Sequence, residues 1–177
     1  DITTDKVYGS TTKIGVNVFD TFQLDANHIA NMYFGTKAVN SADKLVNFVD
    51  SRIDVNGTVN AVQNNKIGGE LYFLSKDGMA VGSSGVINTG SLYVMTPASA
   101  VSDPTSPYNY AMLKGEFSNA SAAPGSQVYE NTMKANIPLN ASGSITVLGK
   151  INATDNIGLY APKIAVGKNI SGDTIGG

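Results

Sequence analysis

The chain has 177 residues, 15% of them charged, with a net charge of −2 and no Cys or Trp. That is enough chain for one domain with a real core. It lacks a basic field for nucleic acid or an acidic membrane surface, and without Cys it has no disulfide, thiolate metal site or Cys nucleophile.

Forty-two per cent of residues are apolar and mean hydropathy is near zero, which argues against disorder. No apolar run approaches the roughly 20 residues of a membrane-spanning helix. Gly, Asn, Ser and Thr are abundant and strong helix formers are thin, a mixture that predicts many short strands joined by turns.

In chain order, Lys13 to Asp25 alternates as strands do, with Ile14, Val16, Val18 and Phe22 on one parity. Asn27 to Phe34 is a second strand candidate. Ser41 to Val62 fits two readings. Ala42, Leu45, Val46, Val49 and Ile53 suit a helical face capped by Ser41. The β-branched content and the Asn56-Gly57 turn favour strands.

The stretch from Gly68 to Pro97 repeats short apolar bursts, Leu71 to Leu74, Met79 to Val81, Val86 to Ile87 and Leu92 to Met95, separated by turn residues. The "LYFL" burst offers apolar residues to both faces. Residues 98–136 break the rhythm. Their Pro residues and helix-compatible spacing, with Tyr110, Leu113 and Lys114 on one side, predict an excursion containing a hairpin or a short helix.

Regularity returns in Ile137 to Gly172. Gly149-Lys150-Ile151-Asn152 echoes Gly85-Val86-Ile87-Asn88, and Gly158-Leu159-Tyr160 echoes Ser91-Leu92-Tyr93. Short strand arms repeating about every 20 residues are a solenoid signature. They predict a parallel β-helix with inward stacks that include Leu71, Phe73, Val147, Leu159 and Val166, and with Asn amides at corners laddered between coils. A sandwich or jelly roll would prefer longer strands and tight hairpins.

Residues 68–97 resemble the haemagglutination-activity domain of two-partner secretion exoproteins, the filamentous-haemagglutinin family. Ser75-Lys76-Asp77-Gly78-Met79 stands where that family has an Asn-Pro-Asn-Gly-Ile motif, and only Gly78 is strictly retained. The flanks "LYFL" and "AVGSSGVINTGSLYV" match better. Asn17 to Leu24 is similar to the family's early Phe-x-x-Phe strand, and Arg52 to Val59 to its segment before the motif. Residues 137–164 most resemble leukotoxin-type filamentous adhesins.

The resemblance implies a right-handed parallel β-helix with an N-terminal cap and an extra-helical excursion, forming one domain over 1–177 at the N-terminus of a larger exoprotein. It implies export through a dedicated outer-membrane transporter whose periplasmic domains recognise the 75–79 segment, a signal peptide already removed, and a place outside the cell or on its surface. Host-cell contact would fall to the rest of the exoprotein.

Other chemistry is thin. His28 is the single His, and Asp43, Asp50, Asp54, Asp77 and Asp155 are scattered, so neither a metal site nor a catalytic acid pair is expected. No cofactor and a monomeric state are expected. Asn56, Asn119, Asn140, Asn152 and Asn169 head glycosylation sequons. A directly ligand-binding adhesive module, and a carbohydrate-active β-helix enzyme, are the alternative readings.

Overall fold

The computed structural model describes residues 1–177. The chain is mostly strands, arranged in three sheets through which it passes in turn. After β1 (Lys6–Tyr8), the strands β2 (Ile14–Phe19), β3 (Phe22–Leu24) and β4 (Ile29–Tyr33) make one pass. The second pass is β5 (Lys44–Val49), β6 (Ile53–Val55) and β7 (Thr58–Gln63), on which β8 (Lys66–Ile67) folds back. The third is β9 (Glu70–Leu74), β10 (Gly78–Val81) and β11 (Val86–Thr89).

The fourth pass starts with β12 (Ser91–Met95). It is then interrupted by helices α1 (Tyr110–Ser118) and α2 (Gln127–Met133) before β13 (Ser144–Val147) and β14 (Lys150–Ala153). A fifth, β15 (Asn156–Tyr160), β16 (Lys163–Val166) and β17 (Ile170–Ser171), leads to β18 (Thr174–Gly176).

The first sheet is ordered β1-β2-β5-β9-β12-β15-β18, the second β3-β6-β10-β13-β16 and the third β4-β7-β11-β14-β17. Every pairing is parallel except β1 with β2 and β7 with β8. Val16 pairs with Val46, Leu45 with Leu71, Leu71 with Leu92 and Ile145 with Ile164, so a pass shortens from about 30 residues at the start to about 20 later in the chain.

Residues 41–62 are therefore strands. The β-branched run and the Asn56-Gly57 corner prevail over the helical spacing. The corner is also sterically fixed, because a Cβ on Gly57 would lie 2.3 Å from the His28 carbonyl oxygen. In 98–136 two helices form, each with a side-chain N-cap. Asn109 Oδ1 accepts from Met112 N–H at 2.9 Å and Ser126 Oγ from Tyr129 N–H at 3.2 Å, which satisfies otherwise orphaned donors.

The inward residues of the three sheets meet in one core. Its columns follow the register: Phe22, Ile53, Met79 and Ile145 in the second sheet, and Leu45, Leu71, Leu92 and Ile157 in the first. Full burial of each such side chain contributes roughly 1.5–3 kcal/mol. Leu71, Phe73, Val147 and Leu159 belong to this core. Val166 stands in register with Val147 but is 39% exposed, because β16 ends its sheet.

The "LYFL" burst divides between two cores. Leu71 and Phe73 point inward. Tyr72 and Leu74 point outward into a second cluster with Ile14, Val46, Phe48 and Met95, which the helices cover with Tyr110, Leu113, Phe117 and Tyr129. Burial on both faces is the usual condition of a parallel sheet.

The repeat read from sequence holds in its first half: Val86, Ile87 and Asn88 pair with Lys150, Ile151 and Asn152. The second half is shifted by two residues. Leu92 pairs with Ile157 and Tyr93 with Gly158, rather than with Leu159 and Tyr160. A two-residue slip leaves every side chain on its original face, so periodicity cannot detect it. The register is set at the corner instead, where Asp155 N–H donates to the Gly90 carbonyl at 2.8 Å.

Asn amides ladder mainly along a strand face, and one pair meets at a corner, where Asn40 Nδ2 donates to Asn65 Oδ1 at 3.0 Å. On the third sheet Asn60 donates to Asn31 at 3.0 Å, Asn88 to Asn60 at 2.9 Å and Asn152 to Asn88 at 2.9 Å. A shorter, buried ladder serves the first sheet. Asn17 Nδ2 donates to Asn47 Oδ1 at 3.1 Å, and Asn47 Nδ2 to the Tyr72 carbonyl at 3.0 Å.

Asn47→Ala leaves a buried amide donor on Asn17 without its acceptor, so it is expected to cost about 2–3 kcal/mol. Urea unfolding checks this. An exposed-ladder change such as Asn152→Ala should cost well under about 1 kcal/mol by the same measurement.

Candidate functional site at the Ser75 to Met79 corner

Ser75–Met79 turns the chain from the first sheet into the second. Ser75 is fully buried. Its Oγ donates to the Ser51 carbonyl at 2.7 Å, while Ser51 Oγ donates to the Asp20 carbonyl at 3.0 Å. Hydroxyls thus join successive corners at this edge, and Ser75 N–H donates onward to the Met95 carbonyl at 3.1 Å. The turn closes when Gly78 N–H donates to the Ser75 carbonyl at 3.2 Å.

Gly78 has φ +94°, a conformation that side-chain-bearing residues resist. A Cβ there would also lie 1.8 Å from the Ser144 carbonyl oxygen. The glycine is needed twice over, for the backbone angle and for the close approach of β13.

Of the five residues, Ser75, Gly78 and Met79 are buried, Lys76 is half-buried and Asp77 is exposed. Lys76 and Asp77 are therefore the side chains that a partner could touch. The Lys76 carbonyl accepts from Asn140 Nδ2 at 2.7 Å, which fastens the chain returning from the helices to the corner.

The helices reach the same place. Tyr110 O–H donates to Asp50 Oδ1 at 2.8 Å and Lys114 Nζ donates to it at 3.0 Å. Both Lys76 and Lys114 lie over the Tyr110 ring, at 5.8 and 5.4 Å from its centre. The surface patch is thus Lys76, Asp77, Asp50, Lys114 and the edge of Tyr110.

The sequence puts Tyr110 and Lys114 on one helical side. Asp50 and Asn140 carry no signal of their own. Asp50 joins the patch because the sheet register brings its turn beside this corner, and Asn140 reaches the Lys76 carbonyl because β13 pairs with β10.

Burial pushes the Asp50 carboxyl up. The hydrogen bonds from Lys114 and Tyr110 and the positive charges of Lys114 and Lys76 outweigh that effect and hold it below its ordinary value. A lowered folded value means stability that is present above the ordinary carboxylate range and is lost as the pH falls through the folded value. The Lys114–Asp50 pair is partly open to water, so the contribution is under about 1 kcal/mol. Asp50→Asn is expected to flatten part of the loss of melting temperature below about pH 4 while changing little at pH 7.

The buried phenols of the outer cluster are shifted the other way. Burial first, then the charges of Glu130, Glu70 and Asp43, pushes Tyr129 up to about 12. Tyr110 is raised by burial and by its bond to Asp50. Both rings stay neutral at physiological pH.

His28 is exposed, with Nδ1 3.1 Å from the Ala26 carbonyl oxygen. The acids are dispersed: Asp43 accepts from Lys13 N–H at 2.7 Å, Asp54 pairs with Arg52 at 2.8 Å, and Asp77 and Asp155 lie at separate corners. No three His, Asp or Glu side chains converge as metal ligands would.

The sequons divide. Asn140 and Asn152 use their amide nitrogens in the hydrogen bonds described above, whereas Asn56, Asn119 and Asn169 are exposed and make no side-chain hydrogen bond as donors. Comparison with known proteins finds no matching family model, no matching curated protein and no matching solved structure.

Proposed function

We propose that this chain is the secretion-targeting and folding-nucleus domain of a large bacterial exoprotein, exported through an outer-membrane transporter of the two-partner type. In this reading the three sheets are the faces of a right-handed parallel β-helix, β1 is its N-terminal cap and residues 98–136 are an extra-helical excursion. The transporter's periplasmic domains recognise the 75–79 segment, and the exoprotein is then released to the medium or the cell surface.

The observation that carries this reading is the placement of residues 68–97. The stretch that resembles the haemagglutination-activity domain spans one whole pass through the three sheets, and its retained glycine takes the positive-φ corner. A chain of this topology adds each pass to the edge of the one before, which suits folding as it emerges from a pore.

The test is secretion of the parent exoprotein with its transporter co-expressed. Lys76→Ala combined with Asp77→Ala changes only the outward side chains of the corner. It is expected to reduce secretion about tenfold, equivalent to ~1.4 kcal/mol of recognition, with the melting temperature of the domain nearly unchanged. Undiminished secretion of this variant would sink the assignment of the corner.

A further inference from the structure

At the end of the sheets nearest the N-terminus, two of the three are closed. The first is covered by β1, which pairs antiparallel with β2. The third is covered by Ile2, whose N–H donates to the Asn31 carbonyl and whose carbonyl accepts from Tyr33 N–H, both at 2.8 Å. The second sheet ends at β3 with no strand beyond it. The Leu24 carbonyl accepts from Asn56 N–H at 2.7 Å on the β6 side. Alternation along the ladder then turns the peptide groups of Gln23 toward the open side.

An uncovered edge is usually kept short or blunted with charge, Pro or a bulge, and β3 is three residues long with an acid on either side. This one has an apolar hollow of about 160 Å³ beside it, lined by Ile2, Phe19, Phe22, Leu24 and Ala30. Its floor is aromatic: the Phe22 ring meets those of Phe19 and Phe73 edge-on at 5.3 and 5.4 Å. Asp20 and Asp25 flank the strand, are exposed and form no ion pair with any Lys, Arg or His.

We propose that the open edge of β3 is a strand-addition site for an extended peptide with two branched aliphatic residues at alternate positions and basic residues on either side. The sheet itself indicates which side chains fit. The column above Phe22 holds Ile53, Met79, Ile145 and Ile164, and the column above Leu24 holds Val55, Val81, Val147 and Val166. The basic flanks answer Asp20 and Asp25. Backbone hydrogen bonds to Gln23 supply the pairing and the hollow selects the apolar residues.

One segment of this chain already has that pattern, Lys163-Ile164-Ala165-Val166-Gly167-Lys168 at the far end of the same sheet. A blocked peptide of this sequence is the probe. Titrated into the whole chain and followed by amide NMR, it is expected to shift the signals of Thr21 to Asp25 saturably. Replacing both probe lysines by Glu, methylating alternate probe amide nitrogens, or making Asp20→Lys with Asp25→Lys in the protein should each weaken binding about tenfold or more. Gln23→Pro removes the outward N–H at a position where an edge tolerates Pro, and should weaken it similarly. The methylated probe keeps the test sound even if that variant folds poorly.

No shift with the probe in large excess, shifts confined to other residues, or equal binding of the Glu-flanked probe would overturn the proposal. So would light scattering that shows the protein itself associating with Gln23 perturbed at the contact. In that case the occupant of the edge is a second copy of this chain.

Discussion

Gly78→Val lowers the melting temperature by roughly 6–12 °C. Two penalties fall on one added atom. A branched residue at φ +94° is strained by about 1–3 kcal/mol. Its Cβ must also displace the Ser144 carbonyl oxygen, which would sit 1.8 Å away. That oxygen belongs to the main chain of β13, so β13 and the corner have to separate. The total exceeds about 3 kcal/mol, and a domain of this size loses about 2–4 °C per kcal/mol.

Lys76→Ala is the control two residues away. It removes a half-buried side chain from the Tyr110 ring and leaves the backbone alone, so it should stay within about 0.5 kcal/mol of the parent. Calorimetry of both variants checks the pair. An unchanged melting temperature for Gly78→Val would mean that β13 does not rest on this corner.

Phe117→Ala should cost about 3–5 kcal/mol, as deletion of a fully buried aromatic side chain does. Phe117 is fully buried, with its ring 5.6 Å from that of Phe48. Phe48 in turn meets Tyr110 at 5.9 Å. The loss has a location as well as a size, because these residues belong to the outer cluster and not to the core between the sheets. Hydrogen exchange on the variant should speed first in α1 and α2. The third sheet, which has no part in that cluster, should keep its protection. Uniform loss of protection would show that the two cores unfold as one unit.

Much of this arrangement is legible in the residues. The short bursts and turn-rich gaps between Gly68 and Pro97 become β9 to β12, and the Gly-x-Ile-Asn repeat falls in exact parallel register. The Asp77-Gly78 pair marks a corner because few other residues accept its geometry. The second half of the repeat misleads, since Leu92 and Leu159 share a face without sharing a position.

Two helices in 98–136 are harder to read, for each is short and depends on the apolar face it covers. The patch around Lys76 is legible in part. Its corner is local and visible, whereas Asp50 and Asn140 arrive from sequence distances of 26 and 64 residues, through register alone.

The helical excursion sets the order of assembly. Strand β10 finds its neighbour β6 within one short pass, but its other neighbour, β13, arrives only after the helices have been made. Lengthening a loop from about 25 to about 65 residues adds roughly 0.8 kcal/mol of closure entropy. The first three passes are therefore complete, with their edges waiting, while the fourth is still open. Docking of α1 on the outer face, with Tyr110 reaching Asp50 and Asn140 reaching Lys76, holds the ends of that loop together. The slow step in refolding should then be closure of this one loop, and β14 to β18 should gain protection only after it.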